Sequence, residues 1–228
     1  MGMVDISTSG DSLTNCNFYA CPGHKWLNGA PGTGVLYIQN EKIRPPEFYP
    51  TLSQRMGKYT SCSHDTDACF PMAEALQVRG CSNTPGFAAM IQAMKFVQDA
   101  GGPAKIEQHI LGLSREVKNF IFSHAPQCLI SPHADPGLQS GLTSFFPFNW
   151  DQPQTPLKDR KTAEWVVQEL LKRKIQVRSI GFADTGSSSQ ASELSYAIRV
   201  STAWFNTADQ IESFRNALQE VLRRVSIP

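Results

Sequence analysis

Between Leu142 and Leu222 the spacing of apolar residues switches repeatedly between a period of two and a helical period, and few architectures accommodate both. Leu142-Thr143-Ser144-Phe145-Phe146 reads as a strand. Lys161 to Lys174, with Trp165, Val166, Leu170 and Leu171, reads as a helix that feeds straight into the alternating strand Ile175-Gln176-Val177-Arg178-Ser179-Ile180. Tyr196 to Ser201 alternates again, and Thr207-Ala208-Asp209-Gln210 is a capping box for a helix whose face is Ile211, Phe214, Leu218 and Leu222. Such an order implies helices packed on a small sheet, a fold class of α/β to α+β. Between the last two strands, Gly181 to Gln190 is rich in serine and glycine and reads as a mobile loop.

Upstream, Thr84 is the expected N-cap of a helix with Pro85 at its first position. Phe87, Met90, Ile91, Met94 and Val97 follow at helical spacing, and Gly101-Gly102 ends the element. A second helix carries Ile106, Ile110, Leu113, Val117 and Phe120 on one face. Earlier still, Asn17-Phe18-Tyr19-Ala20 and Val35-Leu36-Tyr37-Ile38 read as short strands, the latter buried. The loop between them holds His24, Lys25 and the glycine-dense turn Gly29 to Gly34. From Glu41 to about Ala75, Pro45, Pro46, Pro50 and Pro71 defeat any periodic pattern, so a long irregular loop is expected. A boundary is expected near Thr84, giving segments 1–83 and 84–228.

Composition narrows the class of partner. Hydrophobic residues make up 41% of the 228 and the net charge is +1, which disfavours disorder and gives no field to attract nucleic acid or an anionic membrane. No run approaches the ~20 apolar residues of a membrane span, and Met1-Gly2-Met3-Val4-Asp5 lacks the basic flank of a secretory signal. A soluble, cytoplasmic protein with no nucleic-acid and no membrane partner is the expectation. The six cysteines show no Cys-x-x-Cys spacing, so no metal is expected and free, mostly buried thiols are.

Three groups could carry chemistry. Lys25 follows His24 in a loop pinned between two strands, and a lysine that condenses with a carbonyl needs a partly desolvated amine. The plainer alternative is a surface lysine. Arg199 shares its strand face with Ala197 and Ser201, which leaves room for its planar fork to meet a carboxylate. A surface ion pair with Glu193 or Asp209 is the alternative there. Arg79-Gly80-Cys81-Ser82-Asn83-Thr84 precedes a helix and could hold an anion, or simply be a capped helix start. Gly32-x-Gly34 carries no nucleotide-binding pattern, and no Gly-x-Ser-x-Gly elbow is present.

Taken in order, these segments resemble the class V aminotransferase-like enzymes, pyridoxal-phosphate proteins of the aspartate aminotransferase fold (fold type I). Phe18 to Leu27 followed by Gly32 to Tyr37 resembles the family's cofactor-lysine segment, and Arg79 to Pro85 its Arg-Gly-Thr segment. Ile175 to Arg178 resembles a strand of its small domain. Ile198-Arg199-Val200-Ser201 with Phe205-Asn206-Thr207 resembles its Arg-x-Ser and Tyr-Asn-Thr ending. The resemblance implies that Lys25 forms the internal aldimine with pyridoxal 5'-phosphate and later moves the α-proton. It places His24 near the phosphate, and Gly80, Cys81 and Ser82 in the phosphate cradle of a neighbouring subunit, hence a homodimer. Arg199 would clamp the carboxylate of an amino-acid substrate. By the same resemblance, 1–83 is a remnant of the cofactor-binding large domain and 84–228 holds helices and the small domain. The large domain is then truncated and the chain covers roughly the C-terminal half of a full-length member.

Two departures stand out: Pro22 replaces the serine usually three residues before the lysine, and Cys81 replaces the threonine of Arg-Gly-Thr. Among the members, cysteine desulfurases are least favoured, because Gly181 to Ser195 holds no cysteine. A C–S lyase or isopenicillin N epimerase-like activity is expected, with a non-catalytic fragment or degenerate dimerisation module as the alternative.

Overall fold

In the computed structural model, which describes residues 18–38, 83–183 and 194–226, Phe18–Pro22 (β1) pairs antiparallel with Gly34–Ile38 (β2). The register runs from Phe18 opposite Ile38 to Pro22 opposite Gly34, which is the expected strand, loop and strand. Burial of β2 is not as expected. Leu36 is 51% exposed, because a two-stranded ladder satisfies its backbone without covering both of its faces.

Helix α1 spans Thr84–Asp99, and its N-cap is Asn83 rather than Thr84. The Asn83 carboxamide oxygen accepts from Gly86 N at 3.0 Å, and Asn83 O accepts from Phe87 N at 3.0 Å. Thr84 and Pro85 thus fill the first turn, where proline's missing N–H costs nothing. Gly86, Met90 and Val97 are buried, whereas Phe87, Ile91 and Met94 form an adjacent, exposed stripe. Gly101 and Gly102 adopt φ of 112° and 83°, a region open to glycine, where the helix stops. Contacts divide the chain into two compact units, one ending at Gly102 and the other running from Pro103 to the C-terminus.

The second unit is built on α2 (Gly102–His124), β3 (Leu142–Phe145), α3 (Arg160–Lys172), β4 (Arg178–Ala183), β5 (Leu194–Ser201) and α4 (Ala208–Arg223). The three strands form an antiparallel sheet in the order β3-β5-β4. One sheet face, with Phe145, Ile198 and Val200, joins Leu113, Val117 and Ile121 of α2 in a single core. Val166 and Leu170 of α3 and Phe214, Leu218 and Leu222 of α4 complete it. Each fully buried Leu, Ile or Phe contributes roughly 1.5–3 kcal/mol. This is the expected helix-on-sheet arrangement, and the capping box of α4 is present as read: Gln210 N donates to Thr207 Oγ1, and Thr207 N to Gln210 Oε1.

Two boundaries differ from the sequence reading. Helix α3 does not run straight into a strand at Ile175, because Lys174 turns left-handed with φ 62°. Lys174 N then donates to Leu171 O, and Ile175 N to Leu170 O, closing the helix end. β4 therefore begins at Arg178. Gly181, Phe182 and Ala183 are not loop: they pair with Tyr196, Ser195 and Leu194, since the backbone ladder needs no apolar side chain. Residues 184–193, the long segment from Glu41 to Ala75, and Glu193 lie outside the described residues.

Candidate active site

Lys25 sits on the turn that joins β1 to β2, and backbone bonds hold that turn at both ends. Gly23 N donates to Thr33 O at 2.8 Å and Gly29 N to Gly23 O at 2.8 Å, while Asn28, with φ 54°, donates its N–H to Lys25 O at 3.0 Å. Thr33 is buried, and its hydroxyl donates to Ala30 O at 2.6 Å. Gly23 packs against Thr33 and against Met90 of α1, so a β-carbon there would lie 2.7 Å from Thr33 Oγ1 and 3.1 Å from Met90 Sδ. His24 and Lys25 are both exposed on this rigid turn. The desolvation that a nucleophilic lysine needs is therefore not supplied by the described residues.

Arg199 is on β5, the central strand of its sheet, opposite the face that packs on α2. The ladder sets Ser144 beside it on β3 and Arg178 beside it on β4, giving one row on one face. The Ser144 amide is held by Ser131 Oγ at 2.8 Å. Arg199 is half-buried, and its Nε is fully enclosed without a hydrogen-bond acceptor. Neither Asp209 nor any other described carboxylate pairs with it. Arg178 was not singled out in the sequence; the signal available was its place in an alternating strand, which names a partner only once the register is known.

The segment that follows β5 is fixed by polar contacts. Thr202 N donates to Gly141 O at 2.9 Å, and the Thr202 hydroxyl is within bonding distance of the Ile110 and Gly141 carbonyls. Asn206 Oδ1 accepts from Ala203 N at 2.8 Å, and His109 Nε2 donates to Asn206 O at 2.9 Å. Thus Phe205-Asn206-Thr207 is locked to α2 directly after the arginine strand. Gly80, Cys81 and Ser82 lie outside the described residues. Of the described cysteines, Cys128 is buried, its thiol pushed up to about 11 by burial, and Cys21 is half-buried.

The sequence profile described as Aminotransferase class-V matches residues 10–214. The chain belongs to that family. Its members' cofactor is pyridoxal phosphate. Isopenicillin N epimerase from Streptomyces clavuligerus is 22% identical over 147 residues, covering 63% of this chain and 36% of the epimerase. Among solved structures, the apo cysteine desulfurase from Thermococcus onnurineus NA1 superposes with a TM-score of 0.60 at 20% identity. The cystine C–S lyase C-DES, in complex with its product cysteine persulfide, gives 0.60 at 22%. Each structure matches 92% of this chain over 48% of its own. The class-V chain thus spans about half the length of these structures, and their likeness shows the fold, that of fold type I.

Toward an aldehyde the described residues offer one exposed primary amine, and toward a carboxylate one enclosed guanidinium nitrogen. The Lys25 side chain is engaged by no described group, and the Arg199 Nε is a buried donor lacking an acceptor. Among the described residues, no three His, Cys, Asp or Glu side chains come together to hold a metal ion, and no helix is long and apolar enough to cross a membrane.

Proposed function

We propose that this class-V chain carries the cofactor lysine, Lys25, and the substrate-carboxylate arginine, Arg199, of a pyridoxal-phosphate enzyme acting on an amino acid, of C–S lyase or epimerase type. The observation that carries this reading is the enclosed Arg199 Nε, whose acceptor is missing on the strand where the resemblance assigns carboxylate binding. A carboxylate supplies such an acceptor, and a charge-assisted bond to it is about twice as strong as a neutral one.

In this proposal the Lys25 amine holds the cofactor and moves a proton at the substrate α-carbon. His24 lies beside the phosphate, and Gly80, Cys81 and Ser82 complete the phosphate cradle from the partner in a homodimer. Arg199 orients the substrate by its α-carboxylate. When bound, pyridoxal phosphate withdraws electron density from the substrate α-carbon. Lys25 is exposed among the described residues, so the proposal requires that its amine be covered by groups other than these. That same exposure favours a second reading, a non-catalytic or dimerisation module of the same fold.

Incubation with pyridoxal phosphate followed by borohydride reduction and peptide mapping tests the reading. Stoichiometric labelling at Lys25, lost with its absorbance band in Lys25→Ala, is expected. Labelling scattered over surface lysines would overturn it. With a loaded enzyme, pyruvate and sulfide release against inversion of the amino acid separates lyase from epimerase.

A further inference from the structure

Arg178 and Arg199 are register partners across the β4–β5 ladder, so their side chains leave the same face of the sheet from neighbouring strands. Like charges set directly opposite one another destabilise a sheet. No described carboxylate forms an ion pair with either of them. Glu164 pairs with Arg160, and Glu220 with Arg173. Glu169 is shared by Lys172, Arg173 and Arg224, and Asp159 and Asp135 cap backbone turns. On the other side of Arg199 the ladder presents Ser144, a neutral hydroxyl, so the second cation lies on the β4 side alone.

We infer that Arg178 binds a second anionic group on the substrate whose α-carboxylate Arg199 holds, so that this site takes amino acids bearing a second acidic group. The inference rests on the carboxylate role proposed for Arg199. A single carboxylate presents one edge to one planar guanidinium fork. Arg199, with its enclosed Nε, fills that role, and the exposed Arg178 next to it is left to meet a separate anion. Two ligand charges also remove the repulsion that the bare pair carries, whereas one carboxylate offsets half of it.

Calorimetric titration of the 228-residue chain with succinate, glutarate and butyrate separates the possibilities. The diacids should bind about tenfold more tightly than butyrate, the increment of one added charge-assisted contact. Arg178→Gln should erase that advantage by weakening the diacids far more than butyrate, while Arg178→Lys, which keeps the charge, should retain part of it. Arg199→Gln should weaken all three ligands. Equal binding of diacids and butyrate to the parent chain, or no diacid binding at all, would overturn the inference. Equal weakening of butyrate and diacids by Arg178→Gln would do the same, by placing both arginines on one carboxylate. Unchanged butyrate binding in Arg199→Gln would instead overturn the role of Arg199, a separate failure. Circular dichroism of each variant checks that the fold is intact.

Discussion

Gly23 donates its amide to Thr33 O at 2.8 Å while leaving no room for a side chain, because a β-carbon would come within 2.7 Å of Thr33 Oγ1. Thr33 cannot yield easily: it is buried, and its hydroxyl is tied to Ala30 O at 2.6 Å. The turn bearing His24 and Lys25 therefore depends on a residue two positions before the lysine.

Gly23→Ala should destabilise this unit by about 1–3 kcal/mol, the usual cost of overpacking. Urea unfolding followed by circular dichroism measures it. If the cofactor is carried as proposed, Gly23→Ala should also slow Lys25 labelling, because the turn must shift to admit the methyl group. Unchanged stability would mean that Thr33 moves freely.

Glu169 is buried in α3, yet it meets three cations: Lys172 Nζ at 2.5 Å, Arg224 Nη1 at 2.9 Å and Arg173 Nη1 at 3.4 Å. The Lys172 hydrogen bond, with help from Arg173 and Arg224 and against the opposing effect of burial, holds its pKa below the ordinary 4.5. A carboxylate depressed in the folded state contributes stability that is fully present above its unfolded pKa and fades as pH falls through the folded one. Glu169→Gln should lower the urea midpoint at pH 7, and the gap from the parent should close as pH falls below 4.5. A gap that stays constant across that window would show that packing, not charge, sets the loss.

Lys118 is the reverse case. It is 1% exposed, and its ammonium donates to Gln139 Oε1 at 2.8 Å and Ser140 O at 3.3 Å with no described carboxylate beside it. Burial, and secondarily the charge of Arg115, lowers its pKa from the ordinary 10.5. The unfolded chain then binds more protons between the two pKa values, so stability should rise as pH climbs through the folded pKa toward 10.5. Lys118→Met should lack that rise. It should also loosen the Pro132 to Ser140 loop, where Gln139 Nε2 donates to the Pro132, His133 and Asp135 carbonyls. Hydrogen exchange of that loop against pH reads both effects, and an identical pH profile in the variant would contradict the assignment.

Local chemistry was readable where it is set by near neighbours in the chain. The capping box at Thr207 and Gln210 needs only two residues three apart, and it is present as read. The apolar stripe Ile106, Ile110, Leu113 and Val117 is buried as its spacing implies. The reading failed where a competing local contact won: Asn83 capped α1 in place of Thr84, and a left-handed Lys174 delayed β4 to Arg178.

Sequence alone determined the alternation of strands and helices, the turn around Lys25 and the strand of Arg199, because periodicity and turn chemistry act over a few residues. Only tertiary structure decided which strands are neighbours. Register brought Arg178 beside Arg199, enclosed the Arg199 Nε without an acceptor, and drew Gly181 to Ala183 into the ladder. Strand pairing is a long-range choice made by backbone hydrogen bonds, which every residue but proline offers alike, and side-chain identity marks it only weakly.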